Sequence, residues 1–191
     1  DNKLFFLQSD ITRFDGYKFQ LDDAIKSKNL DPAYDVFKVY LQRLDQRIAF
    51  ARNELKQNFD FTAKESYLYD RKEAQWAKTE AELNAIWRQS VKNDVLRLKL
   101  AGRSMDEIRV TLDKRYSNTA ERVHQLRADD VFENFMNAYG SSIDPHTSYL
   151  SPRSADNFNM TMKLSLEGVG AVLQSQDDYV VFRTIMPGSP A

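Results

Sequence analysis

Cysteine is missing altogether from the 191 residues. That excludes disulfides, thiol nucleophiles and cysteine-ligated zinc. It fits an oxidising compartment, but many cytosolic domains lack cysteine too. Glycine is scarce, with six copies, and only Gly168 and Gly170 stand close together. They lie inside a strand-like pattern rather than between a strand and a helix, so no phosphate-cradling loop or dinucleotide fingerprint is present. No apolar run approaches the roughly 20 residues of a membrane span. An excess of either charge is also missing. Lys and Arg total 27 against 28 Asp and Glu, a net charge of −1, which gives no global attraction to nucleic acid or anionic lipid. No leader-like stretch is visible; the sequence opens at Asp1, which is compatible with one having been removed. There is no internal repeat and no low-complexity tract.

Most of the chain reads as helix. Phe37, Leu41, Leu44, Ile48, Ala51 and Leu55 alternate spacings of four and three, one apolar stripe on a helix over 37–55. Asp31 followed by Pro32 predicts its start, as a cap and a first-turn proline. Three further starts carry capping-box spacing. Thr62 with Glu65 opens a short segment. Thr79 with Glu82 opens a helix bearing Leu83, Ile86, Trp87, Val91 and Leu98. Ser104 with Glu107 opens another, after Gly102 stops its predecessor. Asp129 is expected to cap a helix with Phe132, Phe135, Met136 and Tyr139 on one side, stopped by Gly140. Ser9 is expected to cap a helix from about Ile11 to Ser27. After Gly140 the chain turns polar and turn-rich, and Pro152 predicts one more short helix over 152–162. Residues 164–174 and 179–186 then read as two strands separated by the polar run SQDD, a hairpin.

The stretch IDPHTSYLSP, residues 143–152, concentrates an acid, a histidine and hydroxyls. A metal site needs three or four ligands in good geometry, and here only Asp144 and His146 are near each other. The serines lack a nucleophile-elbow context, although spacing alone leaves a triad open because triads draw on distant segments. The structural reading is favoured: Asp144 starts a turn before Pro145, Thr147 and Ser148 bond local backbone, and Tyr149 with Leu150 anchors the linker. Lys163 and Ser165 would share a strand face, but a general-base lysine needs a buried setting that a strand start does not offer. His124 reads as a surface or partly packed residue, and Trp76 and Trp87 as core. The many charges read as solvated helix faces.

The run DPHTSYLSPRSADNFN, followed by LSLEGVGAVLQ and MPGSPA, resembles the tail-specific (carboxyl-terminal processing) proteases of Gram-negative bacteria. LFFLQSDITRF, DVFKVYLQR and TEAELNAIW are similar to the helical N-terminal region of that family. The resemblance implies a periplasmic serine endopeptidase. It would bind substrate C-terminal tails through a PDZ domain and cut with a Ser/Lys dyad in a later domain. It implies that the dyad lies beyond residue 191, so no catalytic residue is assigned, no cofactor or metal is expected, and these 191 residues alone are expected to be inactive. Read alone, LEGVGAVLQ is an ordinary strand whose glycines permit close packing. With the resemblance it becomes a carboxylate-binding loop of a PDZ domain, which takes a peptide as an added strand. Gly168 and Gly170 would free backbone N–H donors on either side of Val169, and Leu166, Val169 and Val172 would line the pocket for the last side chain.

The fold expected is mainly α. A helical domain spans 1–141, a linker and short helix 142–163, and 164–191 is a hairpin that begins a PDZ domain. The partners expected are protein C-terminal tails and a lipoprotein adaptor, with no nucleic acid and no membrane span. Two alternatives stay open. One is a non-catalytic interaction module that docks an adaptor or envelope partner. The other is a self-contained hydrolase using His146.

Overall fold

The apolar stripe Leu44, Ile48, Ala51 and Leu55 is buried along one side of a 24-residue helix and the residue capping its end. This helix is α3 (Asp31–Glu54) in a computed structural model that describes residues 2–27, 29–163, 170–176 and 179–185. The other elements are α1 (Gln8–Phe14), a 3-10 turn (Asp15–Tyr17), α2 (Leu21–Lys26), α4 (Glu80–Leu100), α5 (Met105–His124), α6 (Ala128–Ile143), α7 (Pro152–Met162), β1 (Ala171–Gln176) and β2 (Tyr179–Ile185). The protein is therefore mainly α with a short antiparallel hairpin, as expected from sequence. Its contacts divide it into two units, Asp1–Phe135 and Met136–Ala191.

In the first unit α3, α4 and α5 each pack on the other two. Leu83, Trp87, Val91 and Val95 recur every fourth residue on α4, as do Ile108, Leu112 and Tyr116 on α5, and all are buried. Each such aliphatic side chain contributes about 1.5–3 kcal/mol when fully buried. The N-terminal segment completes this core. Leu7 is buried in it, and Phe5 meets Tyr40 and Trp87 edge-on. The Trp87 indole N–H donates to the Leu4 carbonyl, which satisfies its one polar group. The chain between α3 and α4 holds neither helix nor strand over 58–79. Lys3 ties it down by donating to the carbonyls of Lys72 and Ala74, and the Gln8 N–H donates to the Ala77 carbonyl at 2.8 Å.

Three helix boundaries follow their sequence signals closely. Ser104 and Glu107 bond each other's backbone N–H reciprocally. Gly102 adopts φ +83°, with its N–H on the Lys99 carbonyl and the Arg103 N–H on the Leu98 carbonyl, a left-handed stop that glycine alone takes without steric cost. Thr79 caps α4 by accepting from the Glu82 N–H at 3.2 Å, while the Glu82 carboxylate takes the Lys78 N–H.

Other boundaries differ from expectation for identifiable reasons. Asp31 is already helical, and the Asn29 side chain accepts its N–H instead. Ser9 lies inside α1; the Asp10 carboxylate reaches back to the Leu7 N–H at 2.9 Å and sets the start there. The single helix expected to Ser27 is broken. Gly16 is a weak helix former, and the Tyr17 hydroxyl and Arg13 guanidinium are both drawn to Asp35 on α3. Thr62 and Glu65 make no capping box: Asp60 accepts both the N–H and the hydroxyl of Thr62, and Glu65 pairs with Lys92. Asp129 falls within α6, whose first turn is met by Asp130 accepting the Arg127 N–H.

In the second unit α6 runs through Gly140 to Ile143 rather than stopping. A Cβ on Gly140 would stand 3.4 Å from the Thr147 methyl, so this glycine admits the returning chain. The helix α7 starts at Pro152 with the Ser151 hydroxyl accepting the Ser154 N–H, within the range predicted. The run MPGSPA lies outside the described residues.

Candidate peptide-binding site

Asp144 organises the loop between α6 and α7. Its carboxylate accepts the Thr147 hydroxyl at 2.7 Å and the His146 N–H at 3.2 Å, while its carbonyl accepts the Thr147 N–H at 3.1 Å. The Thr147 hydroxyl first, then the His146 N–H, hold the Asp144 carboxyl below the usual carboxylate range. The His146 ring stands 3.3 Å from that same carboxylate and is otherwise in solvent. Ser151 is committed to capping α7. Asp144, His146 and Ser151 thus do not form a nucleophilic site, and the folding role read from sequence is the one observed. The anchoring differs in detail. Leu150 is exposed, and the linker is held by Asn137 on α6. The Asn137 amide donates to the Tyr149 carbonyl at 3.1 Å and accepts the Tyr149 N–H at 2.7 Å. An asparagine side chain can copy a strand-like pair of bonds, but nothing local in the sequence points from residue 137 to residue 149.

Lys163 is the exposed residue that ends α7; Ser165 lies outside the described residues. No group of three potential metal-ligating side chains occurs among the described residues. His124 is half-exposed, 2.7 Å from Asp45, and links the end of α5 to α3, the surface role expected.

Of the five residues predicted to bind a peptide, Leu166, Gly168 and Val169 lie outside the described residues. Gly170 has φ +63° and immediately precedes β1. That conformation is open to glycine and strained for other residues. Val172 is the second residue of β1, and half-exposed. The sheet pairs Val172 with Thr184, Leu173 with Phe182 and Gln174 with Val181. Among the described residues β1 bonds to β2 on one side, and no strand covers its other side. An open strand edge offers unpaired backbone donors and acceptors to an incoming extended chain.

Among the clefts of the helical unit, two draw on segments far apart in the chain. One of about 300 Å³ is lined chiefly by Ile11, Phe14, Leu21, Pro32, Val36 and Phe135. The other, about 570 Å³, is polar and holds the Glu54–Arg88 ion pair together with Asp60 and Lys92. Sequence periodicity showed neither, because each is assembled from segments far apart in the chain. No helix among the described residues is long and apolar enough to cross a membrane.

Residues 1–153 match the family model described as the tail-specific protease N-terminal domain. Over 187 residues the sequence is 40% identical to a tail-specific protease of Haemophilus influenzae, an alignment that covers 97% of this chain and 27% of that relative. The chain thus spans 27% of the length of the relative it matches. The long helices of the first unit and the loop into α7 all fall within the matched region, and the chain belongs to the tail-specific protease family as its N-terminal portion.

Proposed function

We propose that this chain is the scaffold and the beginning of the tail-recognition site of a periplasmic serine endopeptidase. The helical unit is the scaffold. The segment from Leu166 through Val172 opens a PDZ domain in which Gly168, Val169 and Gly170 present backbone N–H groups to a substrate's terminal carboxylate. Leu166, Val169 and Val172 would contact its last side chain. The observation that carries this reading is Gly170, in a left-handed conformation at the mouth of a strand whose outer side is open among the described residues. Backbone N–H groups around such a turn form an anion-binding concavity, and the strand beside it is ready to take a peptide by addition. Bond cleavage is assigned to a Ser/Lys dyad outside these 191 residues.

The test is binding of a fluorescent peptide with an apolar end to the full-length protein, as free acid and as amide. The free acid should bind more tightly, and Gly168→Trp should weaken it at least tenfold. Equal affinity of acid and amide, or no effect of Gly168→Trp, rejects the site. The 191-residue chain alone should leave a tailed substrate intact; turnover by it rejects the division of labour.

A second reading, docking of a lipoprotein adaptor on the helical unit, is favoured by the apolar cleft between α1, α2, α3 and α6. There Val36→Glu should abolish retention of an envelope lipoprotein that the wild-type protein holds. If the full-length protein retains such a partner and cuts nothing, the chain is an interaction module.

A further inference from the structure

The two faces of the hairpin differ, and the difference bears on which tails the proposed site accepts. This step rests on the tail-binding reading above. Side chains alternate between faces along a strand, and residues opposite each other across the ladder share a face. Ala171 and Leu173 lie opposite Ile185 and Phe182. Together with Val180, two residues from Phe182, they make one face apolar but for Ser175, which lies opposite Val180. Val172 and Gln174 lie opposite Thr184 and Val181 on the other face. The register slips by one residue between Val172 and Leu173, so Arg183 is the extra residue of a bulge. Bulges re-aim side chains. Here the Arg183 guanidinium is brought across the second face, where its Nη1 donates to the Gln174 side-chain carbonyl at 2.9 Å. Arg183 is the one charged residue in the two strands, it is exposed, and among the described residues it pairs with no carboxylate.

We infer that Arg183, steadied by Gln174, makes the site prefer tails that carry an acidic side chain at alternate positions. A peptide added along β1 alternates as β1 does. Its residue opposite Gln174 projects onto the face that holds Arg183, and the residues on either side of it project onto the apolar face. The guanidinium now bonds a neutral amide. A carboxylate arriving beside it would form a charge-assisted bond, roughly twice as strong as a neutral one. The apolar face meets the remaining tail side chains. The substrate class is therefore a C-terminal tail with an apolar end and a two-residue alternation of apolar and acidic residues behind it.

The experiment is a glutamate scan. Peptides ending in one apolar residue, with glutamate placed singly at each of the preceding six positions of an alanine background, are titrated against the full-length protein at low salt. Binding should tighten about two- to five-fold, the range of a solvent-exposed ion pair, at alternate positions and not between them. The gain should vanish at about 0.5 M salt and in Arg183→Gln. In Arg183→Glu the same positions should favour lysine. A flat scan with wild-type protein, or a gain that survives Arg183→Gln, overturns the inference. If free-acid peptides bind no better than their amides, the tail site itself fails and this inference with it. If free acids bind selectively and the scan is flat, only the role of Arg183 fails.

Discussion

The two units handle the same kinds of side chain in opposite ways. In the helical unit Leu44, Leu83, Val91, Val95, Ile108 and Leu112 are wholly buried. In the second unit Phe158 and Met162 on α7, and Leu173, Phe182 and Ile185 on the hairpin, are all exposed. The reason is geometric. Three long helices each present one stripe and close a core among themselves. Two strands have two faces and two edges, and cannot cover their own apolar side. Among the described residues that apolar side stays exposed.

That contrast can be broken by mutation. The largest effect belongs to the helical core. Leu112→Ala should cost about 3–4 kcal/mol, read as a shift in the urea unfolding midpoint. Phe182→Ala on the hairpin should stay within about 0.5 kcal/mol, although phenylalanine is the larger side chain. Equal losses would mean that the hairpin is covered as the bundle is.

Next comes the ion pair that closes the N-terminal segment on α3. The Asp10 carboxylate takes Arg43 Nε at 2.9 Å and Nη2 at 3.0 Å, besides the Leu7 N–H. Burial on its own would raise the Asp10 pKa; the bonds from Arg43 and Leu7 outweigh it and hold the carboxyl below the usual range. Asp10→Asn should cost about 2–3 kcal/mol near neutral pH. Because the folded value is depressed, this stabilisation is fully present above the unfolded value of about 3.9. It is lost as pH falls through the folded one. Urea midpoints of wild type and Asp10→Asn should therefore converge in acid. A gap that stays constant down to about pH 2.5 would remove the carboxylate from the explanation.

Smaller effects separate two glycines. At Gly102 a Cβ has no neighbour within 4 Å, so the cost of Gly102→Ala is the left-handed backbone alone, about 1 kcal/mol. Gly140 sits in ordinary helix, where alanine gains up to about 1 kcal/mol, set against the tight approach of Thr147. Gly140→Ala should be close to neutral, and circular dichroism melts of the pair should differ in sign or size. A larger loss at Gly140 than at Gly102 would show that the returning loop cannot give way.

Most helices were legible because their signals are local. The stripe on α3, the Ser104–Glu107 reciprocal cap and the Gly102 stop each lie within a few residues of what they control. The misses share the opposite property. The break after Phe14 depends on Asp35, and the passage of α6 through Gly140 depends on the turn set by Asp144. The clamp on Tyr149 depends on Asn137. Of the candidate site, the glycine at 170 and the strand after it were legible as a pattern. The sharing of a face by Gln174 and Arg183 was not, since it requires the bulge.

Sequence alone determined that this chain is helical over most of its length, where α4 and α5 begin, and which family it resembles. Those properties rest on periodicity and on hydrogen bonds between near neighbours. Tertiary structure decided which stripes close into a core, which apolar faces stay open, and where the single strand charge points. Those outcomes depend on partners distant in the chain and on strand register, where a slip of one residue carries a side chain to the other face.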